Sequence, residues 1–133
     1  MKMSTGKINR SVIFLAATFL LLPAASLPSG VEEQAEPLPS YRYIMVYGSG
    51  DLAVGDVVEF FAPEETLCGR FVVDEEGGYG LMAVYADDPQ SVAVQEGARE
   101  GDYLTIRVNG REVYPVGGPP VWENEGETRR IDL

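Results

Sequence analysis

Residues 67–85 constrain the fold more than any other stretch. Two apolar runs, Leu67-Cys-Gly-Arg-Phe-Val-Val73 and Tyr79-Gly-Leu-Met-Ala-Val-Tyr85, flank the acidic turn sequence Asp74-Glu-Glu-Gly-Gly78. Both runs are rich in β-branched and aromatic residues, which suit a pleated, half-buried surface. A glycine-bearing turn between such runs predicts a β-hairpin. Leu67, Gly69, Phe71 and Val73 share one face of the first run, and Arg70 marks the other face as the wetter one. In the return run Leu81 and Met82 fall on opposite faces, so both faces are expected to be partly covered.

The same two-residue rhythm recurs on either side. Residues 41–47 form a first strand, with Ile44 and Val46 on one face and Tyr41, Tyr43, Met45 and Tyr47 on the other. Residues 56–62 form a second, in which Val58, Phe60 and Ala62 alternate with Val57, Glu59 and Phe61. Pro63 stands where that strand must stop. Residues 102–109 alternate most cleanly, with Leu104, Ile106 and Val108 inward and Tyr103, Thr105 and Arg107 outward. Asn109-Gly110 is the preferred two-residue hairpin turn and returns the chain through residues 111–114. A Pro/Gly stretch, 115–120, leads to Trp122, and residues 127–133 make a last strand. Seven or eight short strands at this spacing predict an all-β antiparallel sandwich. Two stacked sheets bury Ile44, Val46, Phe60, Phe71, Val73, Leu81, Leu104, Ile106 and Val108.

The first 40 residues follow a different pattern. Residues 1–10 carry Lys2, Lys7 and Arg10 and no acid, and residues 12–22 are an apolar run of signal-peptide length. Ala24 and Ser26 fit the small-residue cleavage rule. The expected organisation is a signal peptide over 1–26, helical in the precursor and cleaved after Ser26, then a Pro/Glu-rich linker over 27–40, then a β-sandwich domain over 41–133. The apolar run is too short, and too interrupted by Pro23, to serve as a spanning helix. The expected location is therefore secreted, periplasmic or cell-surface, with membrane contact only through the export signal.

Composition excludes several chemistries. The formal charge is −11, and beyond residue 10 the basic residues are all arginine. Such a chain repels nucleic acid and anionic membranes. Without histidine there is no Ser-His-Asp or Cys-His pair and no imidazole zinc ligand. The single cysteine, Cys68, rules out an intrachain disulfide and a four-thiolate site. Its place in an apolar strand predicts a small buried hydrophobe. Acid pairs such as Glu64-Glu65, Glu75-Glu76 and Asp87-Asp88 sit in turns, where solvation is the ordinary role. The chain is not expected to be an enzyme.

The segments Val54-Gly-Asp-Val-Val-Glu-Phe-Phe61, Cys68-Gly-Arg-Phe-Val-Val-Asp74 and Gly78-Tyr-Gly-Leu81 resemble the prealbumin-like modules of secreted bacterial proteins. Carboxypeptidase regulatory-like domains are the nearest named group. Those modules place a glycine before a strand and then an Asp-x-x-Gly-x-Tyr-x-Leu hairpin; here the turn is one residue longer. Residues 97–110 are similar to strands of repeated modules on exported surface proteins. The resemblance implies an Ig-like or prealbumin-like sandwich and an accessory or adhesive role. It gives no residue a catalytic role.

Two constellations stand out as binding candidates. Tyr41, Tyr43 and Tyr47 alternate on one strand face and, with Trp122, would supply exposed rings for a ligand. Asp87, Asp88, Glu96 and Asp102 cluster around the longest irregular segment, 86–101, and are the candidate ligands for calcium, the one cofactor the pattern admits. Their spacing matches no EF-hand or nonapeptide repeat, so solvated loop acids are the alternative. The leading expectation is a non-enzymatic binding or structural module with an extracellular protein partner. The alternative is a carbohydrate-binding module that grips a polysaccharide through Tyr and Trp rings.

Overall fold

The computed structural model describes residues 35–91 and 94–133. The expected signal peptide and most of the expected linker lie outside the described residues. A compact unit spans Glu36–Leu133. It takes in residues 36–40, which the sequence assigns to the linker. Ser40 ties that segment down: its hydroxyl donates to the Ala86 carbonyl at 2.7 Å and accepts from the Arg42 N–H at 3.2 Å.

The described chain is all-β. Its strands are β1 (Tyr43–Ser49), β2 (Val57–Ala62), β3 (Thr66–Val72), β4 (Gly78–Tyr85), β5 (Thr105–Val108), β6 (Arg111–Val113) and β7 (Thr128–Arg130). They form a three-stranded sheet ordered β4-β1-β7 and a four-stranded sheet ordered β3-β2-β5-β6. Pairing is antiparallel except between β1 and β7, which run parallel.

Period-two alternation places the core where the sequence puts it. Ile44 and Val46 of β1, Val58 and Phe60 of β2, and Ile106 of β5 are buried, and Phe71 and Val108 are partly so. Burying each such side chain contributes about 1.5–3 kcal/mol relative to leaving it exposed. Asn109, with φ 52°, and Gly110 close the β5–β6 hairpin as expected.

The hairpin expected over 67–85 does not form. β3 pairs with β2, and β4 pairs with β1, in the other sheet. Residues 73–77 carry the chain from one sheet to the other, held by Val73 N–H to Asp56 O at 2.8 Å and Gly77 N–H to Leu52 O at 2.9 Å. The two apolar faces therefore meet across the core instead of lying side by side. Gly69 marks the contact: a Cβ there would stand 2.8 Å from the Ala83 carbonyl oxygen. The turn that does close β2 onto β3 is the single 3-10 turn Pro63–Glu65.

Leu81 also departs from expectation, being 58% exposed rather than buried. The β1–β4 register shifts between Val46 and Gly48, a bulge that turns Tyr79 and Met82 inward and Leu81 outward. Gly80 supplies the left-handed backbone the bulge needs, at φ +100°.

Candidate functional site

The two sheets present opposite chemistry to solvent. Across the outer face of the four-stranded sheet runs a row of alternating charge, Arg70, Glu59, Arg107 and Glu112, set opposite one another by register. Arg70 Nε lies 3.9 Å from Glu59, Arg107 Nη2 lies 2.8 Å from Glu65, and the Arg107 guanidinium stacks 4.3 Å over the Phe61 ring. Opposite charges directly across strands stabilise a sheet. The same face also carries Val72, 47% exposed, at its β3 edge.

The outer face of the three-stranded sheet is apolar. β1 contributes Tyr43, Met45 and Tyr47, and β4 contributes Leu81, Ala83 and Tyr85. Register sets Tyr43 beside Tyr85 and Met45 beside Ala83. The Tyr43 and Tyr85 rings meet edge to face at 6.2 Å. On the β7 side Thr128 and Arg130 stand beside Met45 and Tyr47. Tyr43 and Tyr47 remain 41% and 40% exposed, and Tyr41, just before β1, 63%. Among the described residues the one cation on this face, Arg130, is held by Asp132 at 3.0 Å.

Trp122 is not part of the exposed strip. Its ring is completely buried, its indole N–H donates to the Val84 carbonyl at 3.0 Å, and the Arg42 guanidinium lies 5.6 Å over the ring. Backbone bonds from Trp122 N–H to Asp102 O and from Gly101 N–H to Trp122 O lace it to the segment before β5. A ring this large with its polar atom satisfied serves as a core anchor.

The candidate calcium ligands are engaged by their own loop. Asp87 Oδ1 accepts the Glu96 N–H and Glu96 Oε1 accepts the Asp88 N–H, both at 3.0 Å. Asp88 Oδ1 accepts the Gln90 N–H at 2.9 Å, and Asp102 Oδ2 accepts the Arg99 N–H at 2.8 Å. Arg99 Nε stands 3.6 Å from Asp87. Among the described residues no three acids gather in a metal-ligating group. The four acids lace the irregular segment through these bonds.

Cys68 is completely buried, as its strand position predicts. Burial pushes its thiol up to about 12, and Sγ donates weakly to the Thr66 carbonyl at 3.4 Å. Burial likewise raises the Tyr79 hydroxyl, which donates to the Ile131 carbonyl. These two groups are structural.

Comparison with protein-family models, curated proteins and solved structures returned no match.

Proposed function

We propose that the chain is an exported, non-enzymatic binding module whose apolar sheet face contacts an extracellular protein. The observation that carries this reading is the contrast between the sheets: one outer face is crossed by a row of opposite charges with Val72 at its edge, the other carries a contiguous strip of tyrosines, Met45 and Leu81. Aromatic residues and methionine are enriched at protein interfaces, where charge is depleted. An exported setting draws on the basic, then apolar, first 26 residues as a cleaved signal peptide, helical in the precursor. A prealbumin-like or Ig-like type draws on the two-sheet architecture. A non-catalytic role draws on the lack of histidine and on loop acids committed to backbone N–H groups.

A polysaccharide ligand would use the same rings. The protein reading is preferred because Tyr43 meets Tyr85 edge-on rather than in a flat row, and because Trp122 is withdrawn into the core.

The test is site-specific photo-crosslinking in cells that export the protein. A photoreactive residue at the position of Tyr47 should give discrete protein adducts, and one at the position of Glu112 on the opposite sheet should give none. Adducts from neither face, or the same adducts from both, would remove the reading.

A further inference from the structure

β6 is a three-residue strand at the edge of the four-stranded sheet, joined to β5 by the turn Asn109-Gly110. Both turn residues are exposed, and both have left-handed backbone, with φ 52° and 84°. Asparagine and glycine are the residues that accept it most readily. Asn109 is also tied to the start of β2. Its main-chain N–H donates to the Val57 carbonyl at 2.9 Å, its Oδ1 accepts the Val57 N–H at 2.9 Å, and its Nδ2 donates to Asp56 Oδ1 at 3.0 Å. The other Asp56 oxygen accepts the Ala53 N–H at 2.9 Å. The Ala53 N–H first, and the Asn109 amide second, hold Asp56 below its ordinary 3.8, so the group facing Asn109 is a carboxylate.

An asparagine followed by glycine can react with its own main chain, because glycine puts no Cβ beside the attacking nitrogen. The Gly110 nitrogen attacks Asn109 Cγ, the Cγ–Nδ2 bond breaks, and the side-chain nitrogen leaves as ammonia with the displaced proton. Water then opens the cyclic imide at either carbonyl. The product is aspartate, or an isoaspartate whose main chain runs through the former side chain. We propose that Asn109 is a deamidation site, shielded by its bonds to Asp56 and Val57 while the hairpin is folded and released when the hairpin opens, and that the product cannot restore those bonds. In the folded turn both polar atoms of the amide are engaged by β2 and the residue before it, which keeps the amide from swinging toward the Gly110 nitrogen. A short, exposed edge strand is among the elements that open most readily. After reaction the donor to Asp56 is gone, and a second carboxylate stands at hydrogen-bond distance from the first; like charges so placed repel. Isoaspartate adds a main-chain carbon to a turn built for two residues. The chemistry runs one way, so the hairpin records the time it has spent open.

The test follows the full chain and a peptide of residues 107–113 at pH 8, by intact mass and peptide mapping. The folded chain should deamidate at Asn109 at least about tenfold more slowly than the peptide, and guanidinium chloride sufficient to unfold it should remove the difference. Equal rates for folded chain and peptide, or no reaction at Asn109 in the unfolded chain, would overturn the proposal. The deamidated chain, separated by ion exchange, should unfold at a lower urea concentration than the intact chain; an unchanged midpoint would overturn it as well. Asn109→Asp supplies the aspartate product alone and should lower the midpoint in the same direction. Adding Asp56→Asn exchanges amide and carboxylate between the two positions and offers the same bonds: the amide oxygen to the Ala53 N–H, the amide nitrogen to the carboxylate at 109, and the second oxygen of that carboxylate to the Val57 N–H. The exchange should recover most of the lost midpoint. No recovery would show that facing carboxylates are not what the product suffers from. Cross-linking from the Tyr47 position, on the other sheet, stands or falls separately.

Discussion

Trp122 and Cys68 show how burial decides what a side chain does. The Trp122 ring joins the sheets through its packing and its bond to Val84 O. Trp122→Ala is expected to destabilise the domain by about 3–5 kcal/mol, the range for deleting a buried aromatic side chain. Urea denaturation measures this, and a loss below about 1 kcal/mol would place the ring at the surface. Cys68 has neither exposure nor thiolate character, since burial has raised it to about 12. The thiolate is the reactive species. Alkylation of the native protein by iodoacetamide at pH 8 should therefore proceed only as fast as the domain opens. Labelling at the rate of an exposed thiol would show the strand position to be wrong.

At the scale of elements, alternation made the strands legible and left their partners hidden. β1, β2 and β5 fall where the two-residue rhythm puts them, and inward residues such as Ile44, Phe60 and Ile106 are buried. Asn109-Gly110 also fixed a pairing, because a two-residue loop leaves room only for an in-plane reversal. The five-residue stretch 73–77 has no such restriction. Its glycine and acids say that the chain turns, but not whether it turns within a sheet or across to the facing one. Gly69 separates the two geometries experimentally. In a flat hairpin, Gly69→Ala would gain strand stability. Here the new Cβ meets the Ala83 carbonyl at 2.8 Å, so the substitution should cost about 1–3 kcal/mol through overpacking. A rise in the urea midpoint would contradict the crossing. Leu81 was hidden for a related reason: a bulge reverses which residues face inward, and no alternation pattern announces one. The candidate site was half legible. The outward tyrosines of β1 follow from period two, whereas the burial of Trp122 depends on tertiary packing that a single sequence does not print.

At the scale of the molecule, charge and shape set how the domain behaves in solution. Surplus carboxylates repel one another, so mild acidification relieves strain across the surface. Particular carboxylates pull the other way. Asp56 is held below its ordinary 3.8 by the Ala53 N–H and by Asn109, and Asp132 is held down by the Ser49 N–H and by Arg130. A depressed folded-state value means stability that is present above the unfolded-state value and lost as pH falls through the folded one. The stability gap between wild type and the Asp56→Asn, Asp132→Asn double variant should therefore be constant from pH 7 to about 5 and shrink below 3.8. A gap that widens on acidification would reverse the assignment.

The same surface argument separates rings kept for a partner from rings that hold the fold. Tyr43 and Tyr47 lie on the open sheet face, and neither fills the space between the sheets. The decisive quantity is the unfolding free energy of the Tyr43→Ser, Tyr47→Ser double variant, measured by urea titration of the full chain. A change within about 1 kcal/mol, set against the several lost in Trp122→Ala, is the outcome expected of a face left open for binding. A loss of about 3 kcal/mol or more would mean that the tyrosines are structural and that the open face has been misassigned.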